Sequence, residues 1–195
     1  MEREILVGGI GGQGVQLATK LLAQALNAEA RSVMHFAAFG GTMRGGNVEC
    51  TVVAGTEELR APPIIPEAWM VITMHPNTIP VVRPKTRCGG LFLVNSGVIE
   101  EATAPEQVTL VQIPATKLAE DRGNLQGAAM VMIAAASQAT GLVSVQQLEN
   151  ALEALTPPYR RNSIKKNIDV MQAGAAYAEE NLMSLGVQAW APVQA

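Results

Sequence analysis

Apolar positions along the chain follow two rhythms. Ile5-Leu6-Val7 is a short continuous apolar run that ends in glycines, and it predicts a strand buried on both faces. Val15 to Asn27 then sets Ala18, Leu21, Leu22, Ala25 and Leu26 at helical spacing. Ser32 to Phe36 predicts a second strand. Asn47 to Val53 alternates, with Val48, Cys50 and Val52 on one face, the pattern of a half-covered strand with an antiparallel neighbour. Trp69 to Met74, Leu91 to Asn95 and Thr109 to Ile113 predict further strands. The last third reads as helical. Asn124 to Thr140 is a small-residue helix closed by Gly141. Ser144-Val145-Gln146-Gln147 is a capping box that opens a helix to Leu155, broken at Thr156-Pro157-Pro158. Ser163 to Leu185 carries Ile164, Ile168, Met171, Ala175, Ala178 and Leu182 on one face, and Gly186 ends it. Strands alternating with helices predict a three-layer α/β/α domain over residues 1–187, with a loose tail at 188–195. Its sheet is Rossmann-like and mostly parallel, mixed where the Asn47 strand joins.

Composition changes this picture in one respect. Charged residues make up 16% of the 195, against ~25% in an average soluble domain, and mean hydropathy is +0.18. The longest apolar run, Ala128 to Ala136, is too short for a membrane-spanning helix, which needs ~20 residues. The start, Met1-Glu2-Arg3-Glu4, lacks the apolar stretch of a signal peptide. The expectation is therefore a soluble cytoplasmic chain whose low charge reflects surfaces meant for other subunits. The net charge of -3 argues against a nucleic-acid platform. Cys50 and Cys88 have no CxxC partner, so they supply no metal or cluster site and read as two buried free thiols.

Candidate chemistry lies first in Gly8-Gly9-Ile10-Gly11-Gly12-Gln13-Gly14, between the first strand and the first helix. Gly9, Gly11 and Gly14 fit G-x-G-x-x-G in its strand–turn–helix context. Such glycines permit a tight turn and close backbone approach, and the helix N-terminus attracts phosphate. A tight turn with no ligand fits the same residues. No Asp or Glu ends the Ser32 strand to hold a ribose, which weakens ordinary NAD binding. No Gly-Lys-Ser/Thr follows, so this is not a P-loop. The second segment is Phe39-Gly40-Gly41-Thr42-Met43-Arg44-Gly45-Gly46. Its glycine pairs flank one arginine, suited to phosphate or carboxylate and equally to an ion pair within the fold.

These two segments together resemble the gamma subunit of 2-oxoacid:ferredoxin oxidoreductases, of the pyruvate and 2-oxoglutarate type. The resemblance continues through Gly89-Gly90-Leu91-Phe92-Leu93-Val94-Asn95-Ser96, Ile113-Pro114-Ala115, Leu118-Ala119, Gly123-Asn124, Asn167 and Gly174, so it spans nearly the whole chain. It implies a subunit of an enzyme that converts a 2-oxoacid and coenzyme A to acyl-CoA and carbon dioxide, reducing ferredoxin. It further implies that thiamine diphosphate, magnesium and iron–sulfur clusters sit on alpha, beta and ferredoxin-like delta partners. Coenzyme A binding and assembly would fall to this subunit. The expected ligand-facing residues are Gly9, Gly11, Gly12, Gln13, Gly14, Gly40, Gly41, Met43, Arg44, Gly45, Gly46, Asn95 and Ser96, and no residue is expected to act as acid, base or nucleophile. The resemblance implies ferredoxin or a ferredoxin-like delta subunit as a partner, neither nucleic acid nor membrane is expected as one, and the isolated chain is expected to self-associate or to expose apolar patches.

Other polar residues are weaker candidates. His75 and Asn77 follow the Trp69 strand, where ligands of α/β folds gather. Ser96 lacks a nucleophile-elbow sequence. Arg160, Arg161, Lys165 and Lys166 form a basic cluster that is either a solvated helix start or a dock for an acidic partner or the 3′-phosphate of coenzyme A. Met130, Met132 and Met171 read as core. Two other readings stay open: a stand-alone NAD- or flavin-dependent oxidoreductase, and a purely structural assembly subunit. Pyruvate, 2-oxoglutarate, branched-chain and aryl oxoacids all fit, with 2-oxoglutarate preferred.

Overall fold

The structure, a computed structural model, describes residues 1–39, 45–59, 64–182 and 185. Gly40, Gly41, Met43 and Arg44 lie outside the described residues, as do Gly186 and the 188–195 tail. Six strands form one sheet in the order β2-β3-β1-β4-β5-β6. They are β1 (Glu2–Ile10), β2 (Ser32–Phe39), β3 (Asn47–Gly55), β4 (Ala68–Thr73), β5 (Thr86–Asn95) and β6 (Thr109–Ile113). β1, β4, β5 and β6 pair in parallel, while β3 runs antiparallel to both β1 and β2. The alternation in the Asn47 segment thus signalled a real reversal. Its other face is not open along its length, however: Thr51 and Val53 are buried, as Cys50 and Val52 are.

The helices are α1 (Val15–Ala28), α2 (Ile79–Val82), α3 (Ala115–Asp121), α4 (Ala128–Thr140), α5 (Val145–Leu155) and α6 (Ile164–Asn181). The three layers are unequal. Ile5, Val7, Val52, Met70, Ile72, Leu93 and Ile113 face α1, α3, α4, α5 and α6. Leu6, Val71, Phe92 and Val94 face α2, Ile65 and the 97–108 connection, with Val82 and Ile99 buried among them. Neither α2 nor α3 was expected from sequence. Proline is tolerated in a first helical turn, and Pro80 sits there in α2. α3 has seven residues and no side-chain cap.

α4 is apolar on every side and buried from Ala128 to Ser137, as a helix enclosed by protein must be. It lies among α1, α3, α5 and α6. A Cβ on Gly174 of α6 would collide with the Val131 carbonyl oxygen, so glycine there sets how closely α6 packs on α4. This largely interior helix accounts for part of the low charge. Gly141 closes α4 at φ 63°, and the Ser144 side chain accepts a bond from the Gln147 amide, as the capping box predicts. The last helix opens at Ile164 with Ser163 as its N-cap, as expected, after a 3₁₀ turn over Pro158–Ser163, and it ends at Asn181, short of the expected Leu185. Met130, Met132 and Met171 are core, but Cys88 is exposed, which corrects its assignment as a buried thiol. It precedes the part of β5 that pairs with β6.

Candidate functional site

Parallel strands β1, β4, β5 and β6 all end at one edge of the sheet, with β3 starting there. β1 keeps its pairing through Ile10, so the turn is compressed into Gly11–Gly14. Gly12 sits at φ 102° and Gly14 at φ 76°, conformations that side chains rarely adopt. A Cβ on Gly9 would come 2.6 Å from Val15 Cγ2, so α1 can fold back onto the strand only over glycine. At Gly14 it would come 2.9 Å from the Gln126 carbonyl.

Gln13 locks this turn. Its Oε1 accepts the Ile10 amide at 2.9 Å, and its Nε2 donates to the Met74 carbonyl at 3.0 Å. The side chain therefore ties the ends of β1 and β4 together. The Gly11 amide donates to the Gly46 carbonyl at 2.9 Å, which brings the described end of the second glycine segment against the first.

Beside this turn opens a cleft of about 990 Å³, at the upper end of small-ligand sites. Gly11, Gly12, Gly14, Gly46 and the first turn of α1 form one side of its lining, and Asn124, Gln126, the end of α5, the 3₁₀ turn and Asn167 form much of the other. α1 has no side-chain cap and no acidic residue in its first turn. Its first N–H groups have no intrahelical acceptors and carry the positive end of the helix dipole. Among the described residues, the one charged side chain on the lining is Arg160, and no Asp or Glu lines it. That is notable in a chain with 17 acidic and 14 basic residues. Asn124 holds the lining in place, donating to Asn167 Oδ1 at 2.8 Å.

Several expected residues lie elsewhere. Gly9 and Gln13 support the turn from behind, and Gly45 is exposed outside the lining. Asn95 is fully buried; its amide donates to Thr116 Oγ1 at 2.7 Å and its Oδ1 accepts the Gly97 and Thr116 amides. It joins β5 to α3, and neither it nor Ser96 reaches the cleft. His75 caps a 3₁₀ turn by accepting the Asn77 amide, so neither residue is a cleft residue. Of the basic cluster, Arg160 alone lines the cleft. Sequence reasoning missed Tyr159, Gln126 and Asn162, which have no periodicity to mark them. Asn124 and Asn167 stood in the family resemblance without a physical role.

The strand order also bears on cofactor choice. In a dinucleotide-binding sheet the second strand lies beside the first, and its end holds the ribose. Here β3 separates β2 from β1, so the end of β2 is one strand further from the glycine turn.

Comparison with known proteins agrees with this architecture. Residues 4–177 match the family described as pyruvate ferredoxin/flavodoxin oxidoreductase. The 2-oxoglutarate synthase subunit KorC of Methanothermobacter thermautotrophicus is 31% identical over 180 residues, covering 89% of this chain and 94% of that protein. The ketoisovalerate oxidoreductase subunit VorA of the same organism is 28% identical over 93% of this chain but 37% of its own length. Among solved structures, a keto/oxoacid ferredoxin oxidoreductase gamma subunit from Geobacter sulfurreducens superposes with TM-score 0.77 at 22% identity, covering 91% of this chain and 99% of that one. A 2-oxoglutarate:ferredoxin oxidoreductase from Magnetococcus marinus, solved with 2-oxoglutarate, coenzyme A and succinyl-CoA bound, superposes with TM-score 0.86 at 21% identity, over 98% of this chain and 33% of that one. Sheet order, helical layer and family match converge: the chain belongs to the pyruvate ferredoxin/flavodoxin oxidoreductase family, as a gamma-type subunit of an oxidoreductase that works as a complex.

Proposed function

We propose that this chain is the gamma subunit of a coenzyme A-dependent 2-oxoacid:ferredoxin oxidoreductase, and that its cleft receives the phosphate-bearing part of coenzyme A. The observation that carries this reading is the sign of the cleft: one guanidinium, an uncapped helix N-terminus, and no carboxylate among the described lining residues. An anion is stabilised there by oriented N–H groups and by Arg160. Gly12 and Gly14 let the backbone turn without side chains between it and the ligand. The volume suits an elongated cofactor better than a single phosphate. The coenzyme A bound in the Magnetococcus enzyme adds support.

In this function the chain binds and orients. Carbon–carbon cleavage and electron transfer belong to thiamine diphosphate, magnesium and iron–sulfur clusters on alpha, beta and delta-type partners. No helix among the described residues is long and apolar enough to cross a membrane. For the oxoacid, 2-oxoglutarate is favoured, since the relatives at 30–31% identity are 2-oxoglutarate synthase subunits. Calorimetric titration of the assembled complex with coenzyme A and with NAD tests the proposal. Saturable coenzyme A binding without an NAD response is expected. NAD binding without coenzyme A binding overturns it.

A further inference from the structure

The turn that closes the cleft on the α6 side carries two side chains without a task in the fold. Tyr159 lines the cleft and is 79% exposed, although a tyrosine can bury ~150–250 Å² of ring. Aromatics are 4% of the chain and only two residues are tyrosine, so a solvent-facing ring is a notable expenditure. Arg160 lines the same cleft. No carboxylate among the described residues pairs with it. Its guanidinium carbon lies 5.6 Å from the Tyr159 ring centre, a loose contact that leaves the guanidinium fork available.

The backbone beneath them is held firmly. Pro157 and Pro158 lead into the 3₁₀ turn and fix its entry. The Arg160 amide donates to the Pro157 carbonyl at 2.9 Å, and Ser163 Oγ donates to the Arg160 carbonyl at 2.8 Å. Two adjacent side chains, one flat and one a phosphate-shaped fork, are therefore presented from a stiff support beside a cleft that favours anions.

We propose that Tyr159 and Arg160 form a recognition pair for a phosphorylated adenosine, with the ring stacking on the base and the guanidinium holding the ribose phosphate. This rests on the reading that coenzyme A enters the cleft, and it goes further by naming which end is held at this turn. The 3′-phosphoadenosine lies against residues 157–163, the pyrophosphate takes the amides opening α1, and the pantetheine arm leaves the cleft toward the partner subunits. Stacking needs only a π-face, whereas the phosphate contact needs the forked, permanently charged arginine. The two residues should therefore fail in different ways.

The test is calorimetry on the assembled complex with coenzyme A and with 3′-dephospho-coenzyme A. Wild type should prefer coenzyme A by about tenfold or more, the range of a charge-assisted contact. Arg160→Gln should abolish that preference while leaving dephospho-coenzyme A binding unchanged. Tyr159→Ala should weaken both ligands equally, by about tenfold, and Tyr159→Phe should restore both. Both side chains are surface groups, so unchanged thermal melts should accompany every variant. Wild-type affinity and preference in Arg160→Gln and Tyr159→Ala overturn the pair while leaving coenzyme A binding in place. A wild-type complex that binds neither ligand overturns the proposed function and the pair with it.

Discussion

Gln13 stands inside the glycine turn, and it separates a structural residue from a ligand-binding one. Replacing it by alanine removes the acceptor of the Ile10 amide and the donor to the Met74 carbonyl. Both groups lie at strand ends, and Met74 is fully buried. Each lost bond costs about 0.5–1.5 kcal/mol, so the pair sums to about 2 kcal/mol. In a chain of this size that lowers Tm by about 4–8 °C. Urea unfolding should show a reduced midpoint at unchanged slope. Gln13→Glu supplies a control. At neutral pH the introduced carboxylate faces the Met74 carbonyl oxygen with no proton to donate; protonated, it regains a donor. The contact to the Met74 carbonyl is therefore present at low pH and is lost as pH rises. The stability of Gln13→Glu relative to Gln13→Ala should accordingly fall with rising pH. A Gln13→Ala chain that melts as wild type, but whose complex shows a several-fold higher KM for coenzyme A, would refute this assignment and return Gln13 to the ligand.

Further expectations follow from the fold. Gly174→Ala puts a Cβ into the Val131 carbonyl and forces α6 away from α4, with an expected loss of about 1–3 kcal/mol in chemical denaturation; a neutral result would mean that the two helices are not so close. Burial, and then Lys20, lowers the pKa of His35, whose Nε2 meets Thr19 Oγ1 at 3.1 Å. The unfolded chain then takes up the proton more readily, so stability should be lost as pH falls from 7 to 5, and His35→Gln should flatten that dependence. Alkylation followed by mass spectrometry should modify Cys88 in the native chain and Cys50 only after unfolding, since Cys50 is buried and its thiol pKa is raised by that burial.

How much of this was legible in the sequence depended on how local each signal was. The glycine turn was legible because φ values of 102° and 76° demand glycine at Gly12 and Gly14 whatever surrounds them. β3 and α5 were legible because alternation and a capping box are short-range codes. The destination of a polar side chain at a strand end was not. Gln13 and Asn95 looked like ligand groups, yet both satisfy backbone atoms of other elements, Gln13 at the end of β4 and Asn95 at the start of α3, partners distant in sequence. Tyr159 was passed over because one aromatic after two prolines has no period to test. The placement of β3 between β1 and β2 was only half visible, since alternation shows an antiparallel neighbour but not which one. The low charge was read as a sign of partner surfaces, yet an interior helix such as α4 consumes apolar residues in the same way.

The central claim is that this cleft holds the phosphates of coenzyme A, and a structure of the assembled complex with coenzyme A bound tests it most directly. Phosphate oxygens should lie within about 3 Å of the amides that open α1 and of the Arg160 guanidinium. Coenzyme A held wholly by the partner subunits, with their side chains filling this cleft, would contradict it.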